Sequence, residues 1–289
     1  LQGLCGTILR ILPLTIALIL FAALPAADLC AGQRQQQIAN TDSNQQSCAE
    51  LQQRGPDFEP LATACRYAVS APRTLPDFVC TEVVKRYFSP QQKPEIVAAQ
   101  LTVEDTRSHY DNVTVNGKSL ASGRTGDDLF EEKAGSTGEF AMLFNVFDAT
   151  SRAEFVPPVD ATVGSKRLQR YDYRVKRANN VNWTWFFVGT ATNPGYHGSV
   201  FVDKQTGEVL RLVVRVSPDE VDPETPVSEA TTTIDYGDVQ VGAAGTHHVP
   251  VGGENVSCFR MMSGCIRAVI VFNNFHKFGA DTRILPTRQ

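Results

Sequence analysis

Val200-Phe201-Val202-Asp203-Lys204-Gln205-Thr206-Gly207-Glu208-Val209-Leu210-Arg211-Leu212-Val213-Val214-Arg215-Val216 reads as a β-hairpin. Two β-branched runs flank a turn from Asp203 to Glu208. The Asp203 carboxylate can accept hydrogen bonds from the turn backbone, and Gly207 can take the positive φ that a bulged loop needs. Leu210, Leu212, Val214 and Val216 alternate with Val209, Arg211, Val213 and Arg215, so the second strand presents one buried and one partly wet face.

The same period of two recurs along the chain. From Phe78 to Phe88, Phe78, Cys80, Glu82, Val84 and Arg86 share one side, with Val79, Thr81, Val83, Lys85 and Tyr87 on the other. Residues 98–106 and 109–115 continue the pattern, and Asn116-Gly117 marks a tight turn. Strand character returns at 167–176, where Tyr171, Tyr173 and Val175 alternate with Arg170, Asp172 and Arg174. It returns again at 181–188, with Val181, Trp183, Trp185 and Phe187 on one face. Short strands at 231–236, 239–241 and 246–251 follow an acidic, Pro-containing connection at 217–226 that reads as solvated. A final hairpin joins 256–261 to 266–278 across Ser263-Gly264. Between the strands, Ser136-Thr137-Gly138-Glu139 is a capping box. It opens a helix whose Phe140, Leu143, Phe144 and Phe147 form an apolar stripe; Pro157-Pro158 closes that section, and 119–133 reads as an exposed loop. The pattern predicts about ten or eleven strands joined by turns, hence a mostly β, α+β protein with a curved antiparallel sheet.

The amino terminus reads as an export signal. Arg10 precedes a nearly continuous apolar run from Ile11 to Leu24, followed by Ala26 and Ala27. The run is shorter than the about 20 residues of a comfortable membrane span, so the mature form is expected not to span a membrane. The domain plan is a signal peptide over 1–27, a polar disordered linker over 28–46, a helical preface over 47–72 and a β domain over 73–284. In the preface, Ser47-Cys48-Ala49-Glu50 is a second capping box, and Phe58, Leu61, Ala62, Cys65 and Ala68 recur at helical spacing before Pro72. Seven cysteines are present, and cleavage after Ala27 would remove Cys5 and leave six. Cys48, Cys65, Cys80, Cys258 and Cys265 are the disulfide candidates. Cys48 can meet Cys65, Cys65–Cys80 is open as well, and the last hairpin favours Cys258–Cys265.

Chemical signatures are sparse. The chain carries no Gly-x-Ser-x-Gly elbow, no His-Glu-x-x-His, no phosphate-binding loop and no dinucleotide fingerprint. Its formal net charge of −4, without a basic stripe, argues against nucleic acid. His247 and His248 are neighbours on a strand and point to opposite faces, so the pair cannot chelate one ion. No catalytic residue, metal or cofactor is expected. The aromatic stripes are the informative part. Phe140, Leu143, Phe144 and Phe147 on the helix, with Trp183, Trp185 and Phe187 on a strand, are either plain packing or the lining of a cavity for a hydrophobic guest.

Several motifs resemble a family of secreted bacterial proteins of uncharacterised function: Leu75-Pro76-Asp77-Phe78-Val79-Cys80-Thr81 with Arg86-Tyr87, Ser136-Thr137-Gly138-Glu139-Phe140, the Asp203…Thr206-Gly207 hairpin, Asp235-Tyr236, and Phe272-Asn273-Asn274-Phe275-His276-Lys277-Phe278-Gly279. More distantly, the strand order, that hairpin and the closing Asn-Phe-x-x-Phe strand resemble LolA-type lipoprotein carriers and related periplasmic lipid-binding proteins. That resemblance implies a half-open β-barrel with helices over its concave face and acyl chains carried there without cofactor. The chain departs from the carriers in its Cys-containing helical preface, and fold does not by itself carry function. The expectation is an exported, periplasmic or extracellular, non-catalytic binder of a hydrophobic or lipid-like ligand. The alternatives are an envelope interaction or sensory scaffold with a filled core, and, third, a hydrolase.

Overall fold

In a computed structural model, the first and last strands of the chain lie side by side. Residues 42–89, 92–104, 107–120, 139–187, 190–260 and 264–278 are described, except the side chains of 107, 185–187 and 190–191. The predicted signal peptide, the linker to residue 41, residues 121–133 of the expected exposed loop, and Ser136, Thr137 and Gly138 of the capping box before α3 lie outside them.

Strands β1 (Phe78–Tyr87), β2 (Glu95–Glu104), β3 (Arg107–Val115) and β4 (Lys118–Ser119) form a meander. Asn116 and Gly117, with φ of 50° and 75°, make the tight turn between β3 and β4. Next come β5 (Glu154–Phe155), β6 (Val159–Val163), β7 (Lys166–Val175), β8 (Trp185–Phe187), β9 (Thr190–Thr192), β10 (Tyr196–Val202) and β11 (Val209–Val216). Three long strands end the chain: β12 (Val227–Gln240), β13 (Thr246–Phe259) and β14 (Cys265–Lys277). Twelve strands form one antiparallel, curved and unclosed sheet in the order β4-β3-β2-β1-β14-β13-β12-β11-β10-β7-β5, with β6 also on β7. Strands β8 and β9 form a separate two-stranded sheet.

Three helices accompany the sheet among the described residues: α1 (42–53), α2 (Glu59–Thr74) and α3 (Glu139–Phe147). The hairpin from which the sequence was read docks on α2. Asp203 Oδ1 accepts from the Gln205 and Thr206 amides at 2.8 and 3.1 Å. Gly207 has φ 74°, and a Cβ there would stand 2.5 Å from Thr63 Cγ2, so the turn rests directly on the helix. The larger core cluster fills the space beneath, joining Leu61, Ala64, Val146, Tyr171, Val200 and Leu212. A second cluster, Phe78, Val84, Val97, Leu101, Ile270 and Phe272 among others, belongs to β1, β2 and β14.

Several expectations need correction. Helix α1 starts before the supposed capping box. Ser47 lies inside it, with Oγ donating to the Ser43 carbonyl at 3.1 Å. Residues 42–46, expected in the disordered linker, are helical because Asn44 is buried and bonded to the segment after α3. Helix α2 runs through Pro72 to Thr74. Proline removes one donor near the helix end, where the last turn still closes through a 2.9 Å bond from the Leu75 amide to the Ala71 carbonyl. The strand expected at 181–188 shrinks to β8. Asn180 fixes a loop instead, its Nδ2 donating to the Trp183 and Pro194 carbonyls at 2.8 Å each, and Val181 is exposed. Leu210 sits in a bulge between the pairs Phe201–Arg211 and Val202–Val209, which turns Val209 rather than Leu210 into the core. The three short strands between 231 and 251 are parts of the continuous β12 and β13. The connection at 217–226 is not merely solvated, since Glu220, Val221 and Thr225 are buried.

Candidate functional site

The face of the sheet that α3 covers carries charge in its interior. Strand β1 alternates as its sequence dictates, so Phe78, Cys80, Glu82, Val84 and Arg86 all point inward and are buried. Glu82 is 1% exposed and Arg86 0%. Glu139, in the first turn of α3, is 2% exposed and faces the same interior. Arg86 Nη1 lies 3.6 Å from Glu95 Oε1 on β2. Tyr110 on β3, the register partner of Leu101 on β2, lies beside Glu82. Burial, then the nearby charge of Glu139, pushes the Glu82 carboxyl well above the usual carboxylate range, against the opposing pull of Tyr110 and Arg86. Burial likewise lowers the Arg86 guanidinium from its ordinary value, opposed by Glu95 and Glu82. Burial raises the Tyr236 phenol, helped by Tyr67 and Glu139.

Aromatic rings adjoin this charged cluster. Phe140 of α3 lies 5.3 Å from Phe78 and 5.0 Å from Phe272, and Phe78 is 5.7 Å from Phe275. The helix therefore bridges both cores. Met142, Leu143, Val146 and Phe147 enter the larger one, while Phe140 packs on the smaller.

Of the predicted ligand-lining residues, Leu143 and Phe147 belong to the larger core and Phe140 packs on the smaller. Leu143 and Phe147 are buried, and Phe147 stacks on Phe155 at 5.5 Å. Phe140 and Phe144 are half-buried. The deepest face of α3 is Glu139, Met142, Leu143, Val146 and Phe147, one step around the helix from the all-aromatic stripe. Trp183 is half-buried and meets the larger core edge-on through Tyr196, at 5.2 Å. The side chains of Trp185 and Phe187 lie outside the described residues. Glu82, Arg86 and Glu139 were missed as site residues, although the alternation of β1 already set the first two on its Phe78 side.

Cys48 is bonded to Cys65, with Cα atoms 5.5 Å apart, and Cys258 to Cys265, at 4.0 Å. Cys80, a disulfide candidate by sequence, is instead a buried free thiol. It belongs to the smaller core, whereas Cys48 and Cys65 belong to the larger. Burial, then the Glu82 charge, pushes its pKa up to about 12, which makes it unreactive as a thiolate.

A His–carboxylate pair does exist elsewhere. His197 Nδ1 is 3.0 Å from Glu220 Oε2, and Arg174 Nη2 is 3.3 Å from Glu220 Oε1. Among the described residues no hydroxyl or thiol hydrogen-bonds His197.

The chain is similar to a LolA superfamily protein from Nitrosomonas europaea. Identity is 7% over 75% of this chain and 94% of that one, with a TM-score of 0.36. The MucA/MucB complex of Pseudomonas aeruginosa is similar at 9% identity, over 74% and 93% of the two chains, with a TM-score of 0.22. No family model matches the chain, and neither does any curated protein.

Proposed function

We propose that the protein is an exported, non-catalytic binder of a lipid-like ligand, taken up beneath α3 on the Phe78 side of the sheet. The observation that carries this reading is the buried Glu82–Arg86–Glu139 cluster beside Phe78, Phe140 and Phe272. Enclosing such groups is unfavourable compared with an apolar core of equal volume, and strongly perturbed groups concentrate where function needs them. Arg86 lies two inward positions along β1 from Glu82, which pairs with Phe272, so an amphiphile lying along the strand meets Arg86 with its polar head while its chain replaces ring contacts. Helix α3 is the movable cover. Uncovering one large side chain costs about 2 kcal/mol, which an acyl chain offsets by burying its own methylenes. Two disulfides fit an oxidising compartment, periplasmic or extracellular.

The test is native mass spectrometry of protein purified from its source, together with titration of a fluorescent fatty acid. Co-purified lipid is expected, as is probe binding that weakens in Phe140→Ala while the protein stays folded. Wild-type protein that carries no lipid and binds no probe overturns the reading. In that event a scaffold role takes its place. An observation already favours that second reading: Ile96 and Val271 are 40% and 45% exposed, on the face opposite Val97 and Ile270, where they offer apolar surface to another protein.

A further inference from the structure

We propose that Glu208, Asp238 and His248 form a binding site for a divalent cation of the zinc class. The three come from different places in the sequence: the turn after β10, the distal part of β12 and the facing part of β13. Asp238 and His248 are register partners in the β12–β13 ladder. One donor atom from each of the three residues lies within 4.8 Å of the other two.

The histidine is held as a metal ligand is held. Its ring stacks on Tyr236 with an interplanar angle of 17° and meets Tyr67 edge-on at 77°. Only 13% of its side chain is exposed. His248 Nε2 lies 2.7 Å from the Val209 carbonyl, which can only accept. Nε2 must therefore carry the hydrogen, and the neutral ring has its lone pair on Nδ1. That lone pair faces Asp238 Oδ1 at 2.8 Å, an acceptor against an acceptor. Only a cation reconciles them, and it is either a proton on the ring or a metal ion between ring and carboxylate. A proton needs one carboxylate. The presence of Glu208 as a further donor, itself held by the Thr206 hydroxyl at 3.2 Å, favours the metal.

One imidazole nitrogen and two carboxylate oxygens, with a backbone carbonyl fixing the tautomer, make a donor set that zinc-class ions take in preference to calcium or magnesium. Water would complete the coordination. Both carboxylates are on the surface and can move to metal–oxygen distance without disturbing the core. The adjacent His247 takes no part, since its Nε2 points to the Ala244 carbonyl at 3.1 Å. The bound ion would tie the hairpin turn to β12 and β13 just where α2 rests, because Gly207 abuts Thr63 and the Tyr67 hydroxyl donates to the His248 carbonyl.

The experiment is calorimetric titration of untagged, chelator-treated full-length protein with Zn2+, repeated with Co2+ to read its visible absorption. Asp238→Asn, Glu208→Gln and His248→Gln are compared, with His276→Gln as the control. One zinc per chain is expected, with calcium failing to compete and the melting temperature rising on loading. Each ligand substitution should weaken binding at least about tenfold, and the control should not. If His248→Gln fails to fold, the two exposed carboxylates decide alone. No zinc uptake, or less than about a tenfold loss in both Asp238→Asn and Glu208→Gln, overturns the site.

Discussion

The Tyr173 hydroxyl donates a 3.2 Å hydrogen bond to the Val213 carbonyl from two strands away. Tyr173 is on β7 and Val213 on β11, and β10 runs between them. The reach is possible because the residue of β10 facing Tyr173 is Gly198. A Cβ at Gly198 would stand 1.8 Å from the Val213 oxygen and 3.0 Å from the Tyr173 hydroxyl. Gly198→Ala should therefore destabilise the protein by at least the about 1–3 kcal/mol of an overpacked core, because the nearest atom is backbone and cannot swing away. Tyr173→Phe should lose only about 1 kcal/mol, the net worth of one hydrogen bond. Urea unfolding of both variants checks the ranking, and equal losses would mean that the strand accommodates a methyl group.

The buried Glu82 carries a pH signature. Its folded pKa lies well above that of an exposed glutamate, about 4.3. Between those two values the native state keeps a proton that the unfolded chain has released. Stability from this group is thus complete at acid pH and is lost as pH rises through the window. Glu82→Gln keeps the neutral shape and has no proton to lose. Its stability relative to wild type should improve as pH rises above the about 4.3 of an exposed glutamate. Thermal unfolding across that range reads the trend. A pH-independent difference would show that Glu82 is ionised in the fold.

What could be read in advance depended on how local the cause was. Strand β1 follows its alternation residue by residue, and the Asp203–Glu208 turn follows its turn chemistry, because neighbouring residues decide both. The strand expected at Val181–Val188 failed because one side chain, Asn180, takes the Trp183 backbone for a loop. The face of α3 was misjudged because its deepest position is a glutamate. Glu139 meets Glu82, more than fifty residues earlier in the chain, on the inward face of β1 that also carries Arg86. Alternation put those two inside, but nothing near them in sequence says what they meet. The cation site is equally non-local: two of its ligands are partners only through a strand register.

The two disulfides should differ in worth. Cys48–Cys65 spans a sequence separation of 17, and Cys258–Cys265 one of 7. By loop-closure entropy the former constrains the unfolded chain by about 3 kcal/mol and the latter by about 2 kcal/mol. Paired serine substitutions, compared by urea unfolding, should show the larger loss for Cys48 and Cys65. The loss should include detachment of α1, read as protease cleavage within 42–53. A larger loss at the β13–β14 hairpin would instead show that the register of the long strands depends on its bridge.

Helix α1 has a second anchor, which can be tested without touching the disulfide. Asn44 is 5% exposed. Its Oδ1 accepts from the Ala149 amide at 2.7 Å, and its Nδ2 donates to Asp148 Oδ2 at 3.4 Å. Asp148 also caps the short turn that follows α3, its Oδ1 accepting from the Thr150 amide at 2.8 Å. Asn44 thus couples α1 to the end of the helix proposed as the cover. Asn44→Ala leaves the Ala149 amide without this acceptor in a partly buried place, a loss of about 1–3 kcal/mol. Two consequences should appear together. Limited proteolysis, which in the wild type should spare 42–53, should now cut there. Binding of a fluorescent fatty acid should change as well, because α3 loses a tether at its carboxyl end. Cleavage without any change in binding would separate the two helices functionally and leave α1 a purely structural brace.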